Sequence, residues 1–318
     1  MSAAGTLVRP TPSATRRIAG VGLATASGLA VAVQSRINGE LGVRLADGIA
    51  AAVISFGGGL LVLLVLVPAT PRGRRGLAAL RGALAARTLR PWQCLGGVCG
   101  AFLVATQGLT IGTLGVAVFT VAVVAGQSGS SLAVDRAGLG PTGRQPVTAR
   151  RLAGALLTVV AVVLAVGDRL GDPDALALAP LPLLAGVAIA WQQAVNGRVS
   201  RAAGSALTAT LVNFTVGTVA LLAVFAVDVA VRGRPAGALP TEPWLYLGGL
   251  IGIVFIAVAA AIVRFTGVLL LGLATIAGQV VGAVALDLAL PTAASHPGPT
   301  TLLGAALTLV AVLIAAKR

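Results

Sequence analysis

Two pairs of amide side chains with identical spacing are the residues of this sequence best suited to bind a small polar molecule. Gln34 and Asn38 lie four residues apart, and Gln192 and Asn196 repeat that spacing 158 positions later. Residues four apart share one face of a helix, so each pair would present two hydrogen-bonding groups side by side. Both pairs interrupt apolar stretches. Such buried amides either line a pathway or join helices by hydrogen bonds.

Further polar and aromatic residues accompany these amides. Gln127 and Gln279 are related by an offset of 152, and Trp191 directly precedes Gln192. Asn213 lies in the next apolar stretch. We therefore predict a substrate pathway lined by Gln34, Asn38, Gln127, Gln192, Asn196, Gln279, Trp191 and Asn213.

A pair of carboxylates recurs at the same offset. Asp135 and Asp287 each follow a repeated glutamine by eight residues, near the end of an apolar stretch. Ionisable groups at membrane depth often couple transport to an ion or act as a gate. The alternative is that each carboxylate, lying at a helix end, reaches water or a neighbouring arginine without deep burial.

Motifs of catalysis and metal binding are missing from the sequence. It contains neither His-Glu-x-x-His nor Gly-x-Ser-x-Gly, and its one histidine, His296, lies in a proline-rich segment. Cys94 and Cys99 are five residues apart, which suits neither a disulfide nor a closed metal site. We expect no enzymatic activity, no metal and no cofactor.

The composition is that of a membrane protein. Hydrophobic residues make up 57% of the 318 residues and charged residues only 10%. Apolar runs of about 20 residues recur, the length at which a helix crosses a hydrocarbon core of about 30 Å. The runs lack the alternating polarity of barrel strands, so the predicted fold is all-α. Its ten spans are 17–37, 48–69, 92–111, 114–134, 151–168, 176–196, 206–230, 243–263, 266–288 and 300–316.

The net charge of +14 indicates how the chain is oriented in the membrane. With both termini on one side, that side collects 18 of the 23 basic residues, six of them in the loop 70–91. Positive charge stays cytoplasmic, so we predict that both termini face the cytoplasm and that the basic loops attract anionic lipids. Nucleic acid is an unsuitable partner because the basic residues lie between apolar spans.

The start of the chain resembles a secretion signal, because Arg16-Arg17 precede an apolar run. The first span recurs later in the sequence, however, so we expect it to be retained in the folded protein.

The sequence contains an internal repeat. Residues 28–67 match residues 186–225, with Gly28 on Gly186 and Phe56 on Phe214. The repeat divides the chain into five-helix halves, 1–171 and 172–318. An odd number of crossings makes equivalent helices run in opposite directions, which is the inverted repeat of secondary transporters.

The segments Gln34-Ser35-Arg36-Ile37-Asn38-Gly39 and Gln192-Gln193-Ala194-Val195-Asn196-Gly197 resemble a motif of the drug/metabolite transporter superfamily, in its YdcZ-type, EamA-like branch. The resemblance implies a bacterial inner-membrane carrier whose cavity is lined by helices one to four and six to nine. Helices five and ten would pack outside or at the interface of a homodimer. Small multidrug exporters of this superfamily carry a mid-membrane Glu that is absent here, since Glu40 lies beyond Asn38.

Together these features predict a secondary-active transporter, acting as an exporter of a small metabolite or drug-like molecule by alternating access. Two alternatives remain open at this stage. A channel-like facilitator would require a ring of like charges or carbonyl-lined loops, and a structural membrane subunit would leave the duplicated amides without a purpose.

Overall fold

The computed structural model describes residues 14–140, 144, 146–167, 171–291 and 297–316, and every regular element in these ranges is helical. The predicted all-α fold is thus confirmed. Two short 3-10 helices, Pro91–Cys94 and Pro243–Tyr246, precede the two longest α-helices. The α-helices are α1 Ala14–Leu45, α2 Gly48–Ala69, α3 Pro71–Ala85, α4 Gly96–Ala137, α5 Ala149–Gly167, α6 Pro173–Leu178, α7 Pro180–Ala203, α8 Ala206–Arg232, α9 Gly248–Ala289 and α10 Pro299–Ala316.

Helix boundaries follow from capping residues. Asp47 Oδ1 accepts hydrogen bonds from the backbone N–H groups of Ile49 and Ala50, at 2.8 and 2.9 Å, which fixes the start of α2. Ser205 caps α8 in the same way, through the N–H of Thr208. Short polar caps therefore allow tight turns between neighbouring apolar helices.

The helices do not map one to one onto the ten predicted spans. Six stretches in the described part of the chain are long and apolar enough to cross a membrane. One of them, Pro91–Ala137, has 47 residues, about twice the length that a span needs. It contains a break at Gly115, whose φ of 78° and ψ of 165° are not helical. The predicted third and fourth spans are thus joined by one residue rather than by a loop.

One predicted loop is largely helical. Residues 70–91 contain α3, which begins at a proline and is capped by Thr70. The buried face of α3 includes Leu80, which packs against Val199 and Ala203 of α7. We call this end of the bundle the basic end, because the arginine-rich α3 meets there the C-terminal part of α7, which carries Arg198 and Arg201.

The other end of the bundle, which we call the opposite end, holds the turns that connect α1 to α2 and follow α8. The backbone N–H of Gly237 donates to the carbonyl of Leu45 at 3.1 Å. A cavity of about 520 Å³ opens there, lined by residues 42–43, 46–49 and 233–236 together with parts of α4 and α8. The charged groups in its wall are Asp47, Asp228, Arg232 and Arg234.

Two helix pairs with matching contacts form the centre of the fold. α1 packs along the second half of α9, and α7 packs along the second half of α4. A Cβ added to Gly28 would lie 2.1 Å from the carbonyl oxygen of Thr275, and one added to Gly186 would lie 2.1 Å from that of Val123. Only glycine permits this backbone contact, and both helix pairs contain it. α5 and α10 pack together and leave residues such as Val163 and Leu313 exposed.

Candidate functional site

Each amide pair lies on a pair of glycines contributed by the other half of the chain. On α4, Gly100 faces Gln192 and Gly96 faces Asn196. A Cβ added at these glycines would lie 2.5 Å from Gln192 Nε2 and 2.6 Å from Asn196 Oδ1. The four-residue spacing of the amides on α7 thus matches the four-residue spacing of the glycines on α4.

The same arrangement occurs between α1 and α9. A Cβ at Gly248 would lie 2.3 Å from Asn38 Oδ1, and one at Gly252 would lie 3.1 Å from Gln34 Nε2. The repeated amide motif and the repeated Gly-x-x-x-Gly motif therefore form one interface, built twice from opposite halves.

Two phenylalanines meet between these interfaces. The rings of Phe56 on α2 and Phe214 on α8 are stacked, with centroids 4.9 Å apart and planes 27° apart. Each ring lies against a glycine of the other helix, Phe56 against Gly217 and Phe214 against Gly59. The two phenylalanines are equivalent in the repeat, so the two halves of the chain meet at this stack.

Buried polar atoms next to the phenylalanines have no hydrogen-bond partner in the described part of the chain. They are Ser55 Oγ and Asn213 Nδ2, on side chains that are each 3% exposed. Asn213 lies beside Gln192, since a Cβ at Gly100 would lie within 3.3 Å of both side chains. Ser55 and Asn213 are themselves equivalent in the repeat.

At the opposite end of the bundle, the polar side chains near Asn38 are joined by buried hydrogen bonds. Asn38 Nδ2 donates to Gln107 Oε1 at 2.7 Å, and Gln107 Nε2 donates to Ser35 Oγ at 3.0 Å. All three side chains are at most 3% exposed. Sequence comparison missed Gln107 because the equivalent position in the second half is Ala259, so no repeated polar residue marks it.

The basic end is more open. Gln127 Nε2 donates to Gln193 Oε1 at 3.2 Å, and the Gln193 side chain is exposed. Asn196, the counterpart of the fully buried Asn38, is half-buried. Trp191 stacks on Trp92 with ring centroids 6.3 Å apart.

Gln279, the repeat counterpart of Gln127, is half-buried on α9. Its backbone passes close to Gly28, where an added Cβ would lie 2.8 Å from the Gln279 nitrogen. The structure thus brings the predicted residues into two related groups, one on α1 and α9 and one on α4 and α7. That these residues line a substrate pathway stays a prediction.

Asp287 is buried, contrary to the expectation that a carboxylate at this helix end would reach water. Its side chain is 2% exposed and accepts hydrogen bonds from the backbone N–H groups of Val116, at 3.2 Å, and Ala117, at 2.7 Å. These are the first amides of the helix that restarts after Gly115. The carboxylate therefore caps the helix break and lies at its positive end.

Asp135, the equivalent residue in the first half, has a different partner. Its carboxylate forms an ion pair with Arg151 Nη2, and its side chain is 30% exposed. This is the neighbouring-arginine arrangement considered as the alternative for both carboxylates. Two residues related by the repeat thus occupy different states in one structure.

Comparison with known proteins agrees with the fold and the repeat. The sequence model of the family described as "Putative inner membrane exporter, YdcZ" (DMT_YdcZ) matches twice, over residues 19–164 and 177–314. A solved crystal structure of a protein has the same fold, with a TM-score of 0.52 at 19% identity, covering 95% of this chain and 98% of that one. No curated protein matches the sequence. Because the family model matches most of the chain in two copies, the resemblance noted in the sequence is confirmed, and the chain belongs to the YdcZ family of drug/metabolite transporters.

Proposed function

We propose that this protein is a secondary-active exporter of the bacterial inner membrane that carries a small metabolite or drug-like molecule by alternating access. The observation that carries this proposal is the different state of two equivalent carboxylates. Asp287 is buried on a helix break, whereas Asp135 is partly exposed and paired with Arg151. A carrier with two related halves needs the halves to differ at any moment, since only one side of the site is open.

The contacts between equivalent residues support an inverted repeat of ten spans. Phe56 contacts its counterpart Phe214, and each amide pair lies on the glycine pair of the other half. Such reciprocal contacts arise when two halves are related by a pseudo-two-fold axis between them. Five spans in each half, with α4 and α9 each supplying two, satisfy both this symmetry and the lengths of the helices.

The closed side of this conformation is the opposite end. The cavity at that end is not lined by Asn38, Gln107 or Asp287. These three side chains are buried, whereas Gln193 is exposed and Asn196 is half-buried at the basic end. By the distribution of arginines the basic end faces the cytoplasm, together with both termini. The conformation is therefore inward-facing.

Symmetry suggests what the outward-facing conformation looks like. Val116 and Ala117, whose N–H groups bind Asp287, correspond to Val268 and Leu269 at an offset of 152. If the two halves exchanged conformations, Asp135 would bind the backbone amides that follow Gly267, and Asp287 would leave the backbone amides that follow Gly115. Two such states need differ by only a few kcal/mol for both to be populated.

An export assay combined with reconstitution tests this function. Spent medium from cells that overproduce the wild type is compared by mass spectrometry with medium from cells that overproduce Asp287→Asn. A compound enriched only by the wild type is then tested in proteoliposomes for counterflow, which a carrier catalyses and a channel does not. Saturable, trans-stimulated flux supports the proposal. Poorly saturable conduction would instead favour a channel-like facilitator, and no flux a structural subunit.

A further inference from the structure

We infer that the residues Ser55, Phe56, Asn213 and Phe214, which we call the central layer, bind the transported molecule, and that this molecule is uncharged, flat and carries a hydrogen-bond acceptor. The inference rests on the proposed carrier function and specifies its substrate class. It follows from the position of the central layer, its unpaired polar atoms, its lack of charge and its aromatic rings.

The central layer lies where a carrier must hold its substrate. Its four residues form two pairs of repeat equivalents, and Phe56 contacts Phe214 directly. Residues that contact their own equivalents lie on the pseudo-two-fold axis, which in an inverted repeat runs in the membrane plane. The central layer is therefore at mid-membrane, equally distant from both sides.

Unpaired polar atoms in the central layer call for a hydrogen-bonding ligand. Asn213 Nδ2 and Ser55 Oγ are buried and have no partner among the described residues. Buried polar groups are nearly always hydrogen-bonded, and leaving one unpaired is costly. An amide NH₂ only donates, and a serine hydroxyl can donate or accept. A carbonyl or ring nitrogen on the ligand would satisfy Asn213, and Ser55 could bind either kind of group.

Three of the helices around the central layer, α2, α4 and α8, carry no charge at this depth. α2 contains no charged residue, and α8 contains none before Asp228, which lies 15 residues beyond Asn213. That separation corresponds to about 22 Å along a helix. α4 is also free of charged side chains from Gly96 to Val134. A charged ligand at mid-membrane would be desolvated and would find no counter-ion on these three helices, so the site favours a neutral one.

The aromatic pair favours a flat ligand. The two rings are already stacked on each other and bordered by Gly59 and Gly217, where a side chain would collide with them. Gly100 and Gly252 likewise leave the amides of Gln192 and Gln34 close to the ring edges. A ligand can reach a phenyl face only by separating the two rings, and a flat conjugated group best replaces the stacking contact that is then lost.

Three probes of nearly one shape test the charge and acceptor requirements. Benzamide is neutral, benzoate is anionic and benzamidine is cationic. We expect benzamide to raise the Tm of the detergent-purified protein saturably, and Asn213→Leu to reduce its affinity at least tenfold. Benzoate and benzamidine should bind at least tenfold more weakly than benzamide. Equal or tighter binding of a charged probe, an undiminished benzamide response in Asn213→Leu, or no response to benzamide would each overturn the inference.

A second measurement needs no ligand. Replacing an unpaired buried polar group by an apolar one of similar size should stabilise the protein, so Asn213→Leu and Ser55→Ala should each raise Tm by about 2–4 °C. Asn38→Leu is the matched control, because it leaves Gln107 without its donor and should lower Tm. A fall in Tm for Asn213→Leu would overturn the inference, since it would mean that Asn213 is already paired.

The two proposals can fail separately. If benzamide binds through Asn213 but proteoliposomes catalyse no saturable flux, the site stands and the carrier function fails. If saturable flux is found for a charged molecule and benzamide does not compete with it, the carrier function stands and the substrate class is overturned.

Discussion

The two ends of the bundle use the same repeated residues in different ways. At the opposite end Asp287 is buried on two backbone amides and Asn38 is bonded to Gln107. At the basic end Asp135 forms a partly exposed ion pair with Arg151, and Asn196 is half-buried. The repeat thus supplies equivalent polar groups, and the conformation of the bundle decides which of them are sealed from water.

This difference has an energetic consequence. A charge-assisted hydrogen bond in a buried site contributes about 1.5–3 kcal/mol, whereas a partly exposed ion pair contributes about 0–1 kcal/mol. The contact of Asp287 is therefore expected to be stronger than that of Asp135. Substitutions of equivalent polar residues should therefore reduce stability by unequal amounts. Substitutions of equivalent glycines that make the same packing contact in both halves should reduce it equally.

The largest effect is expected where the halves do not differ. A Cβ at Gly97 would lie 2.1 Å from the carbonyl oxygen of Asn213, and one at Gly249 would lie 2.1 Å from that of Ser55. Both substitutions to alanine should push helices apart and remove most of the folded protein, as measured by fluorescence-detected size exclusion. Gly57→Ala is the control, because nothing lies within 4 Å of its added Cβ. Normal yields of either Gly97→Ala or Gly249→Ala would contradict this contact.

The helix break should be the next most sensitive feature. Gly115 has a φ of 78° and a ψ of 165°, a conformation that alanine adopts only with strain of about 1–3 kcal/mol. Gly115→Ala should lower Tm and reduce transport by favouring a continuous helix. Gly129→Ala on the same helix has open space around its added Cβ and should leave Tm nearly unchanged. Equal Tm values for the two variants would show that the break is dispensable.

The carboxylates provide the most direct contrast between the ends. Asp287→Asn loses the charge of a buried cap and should destabilise the protein by about 1.5–3 kcal/mol. Asp135→Asn weakens a partly exposed ion pair and should cost at most about 1 kcal/mol. Chemical denaturation of the two variants side by side measures this difference. A larger loss for Asp135→Asn would mean that the conformation is the reverse of the one described.

The asparagines should follow the same order with smaller effects. Asn38→Ala leaves Gln107 buried without its donor, at a cost of about 1–3 kcal/mol. Asn196→Ala removes a half-buried amide and should cost no more than about 0.6 kcal/mol, the average contribution of a hydrogen bond between membrane helices. Thermal unfolding of both variants in one detergent tests the ranking, and equal losses would argue against a difference between the ends.

The helical fold and the repeated amide motifs could be predicted from the sequence, because apolar length and repeated polar residues are visible without coordinates. The sequence did not predict that the amides of one half lie on the glycines of the other, because that contact depends on how the halves dock. Gln107 was missed since it has no repeated counterpart, and the burial of Asp287 depends on a helix break that hydropathy does not reveal. The helix α3 was predicted as a loop because its arginines obscure its apolar face.

Accessibility of one pair of equivalent positions tests the alternating-access claim most directly. Ser35 is buried at the opposite end and its counterpart Gln193 is exposed at the basic end. Cys94 and Cys99 are first replaced by alanine. Single variants Ser35→Cys and Gln193→Cys are then labelled with a membrane-impermeant maleimide in right-side-out and inside-out vesicles.

In this background, which lacks Cys94 and Cys99, Gln193→Cys should react only from the cytoplasmic side, and Ser35→Cys should be protected from both sides. Adding Asp287→Asn should expose Ser35→Cys to the outside and slow the labelling of Gln193→Cys, because releasing the cap favours the outward-facing state. Continued protection of Ser35→Cys, or rapid labelling of both positions in the same variant, would contradict alternating access.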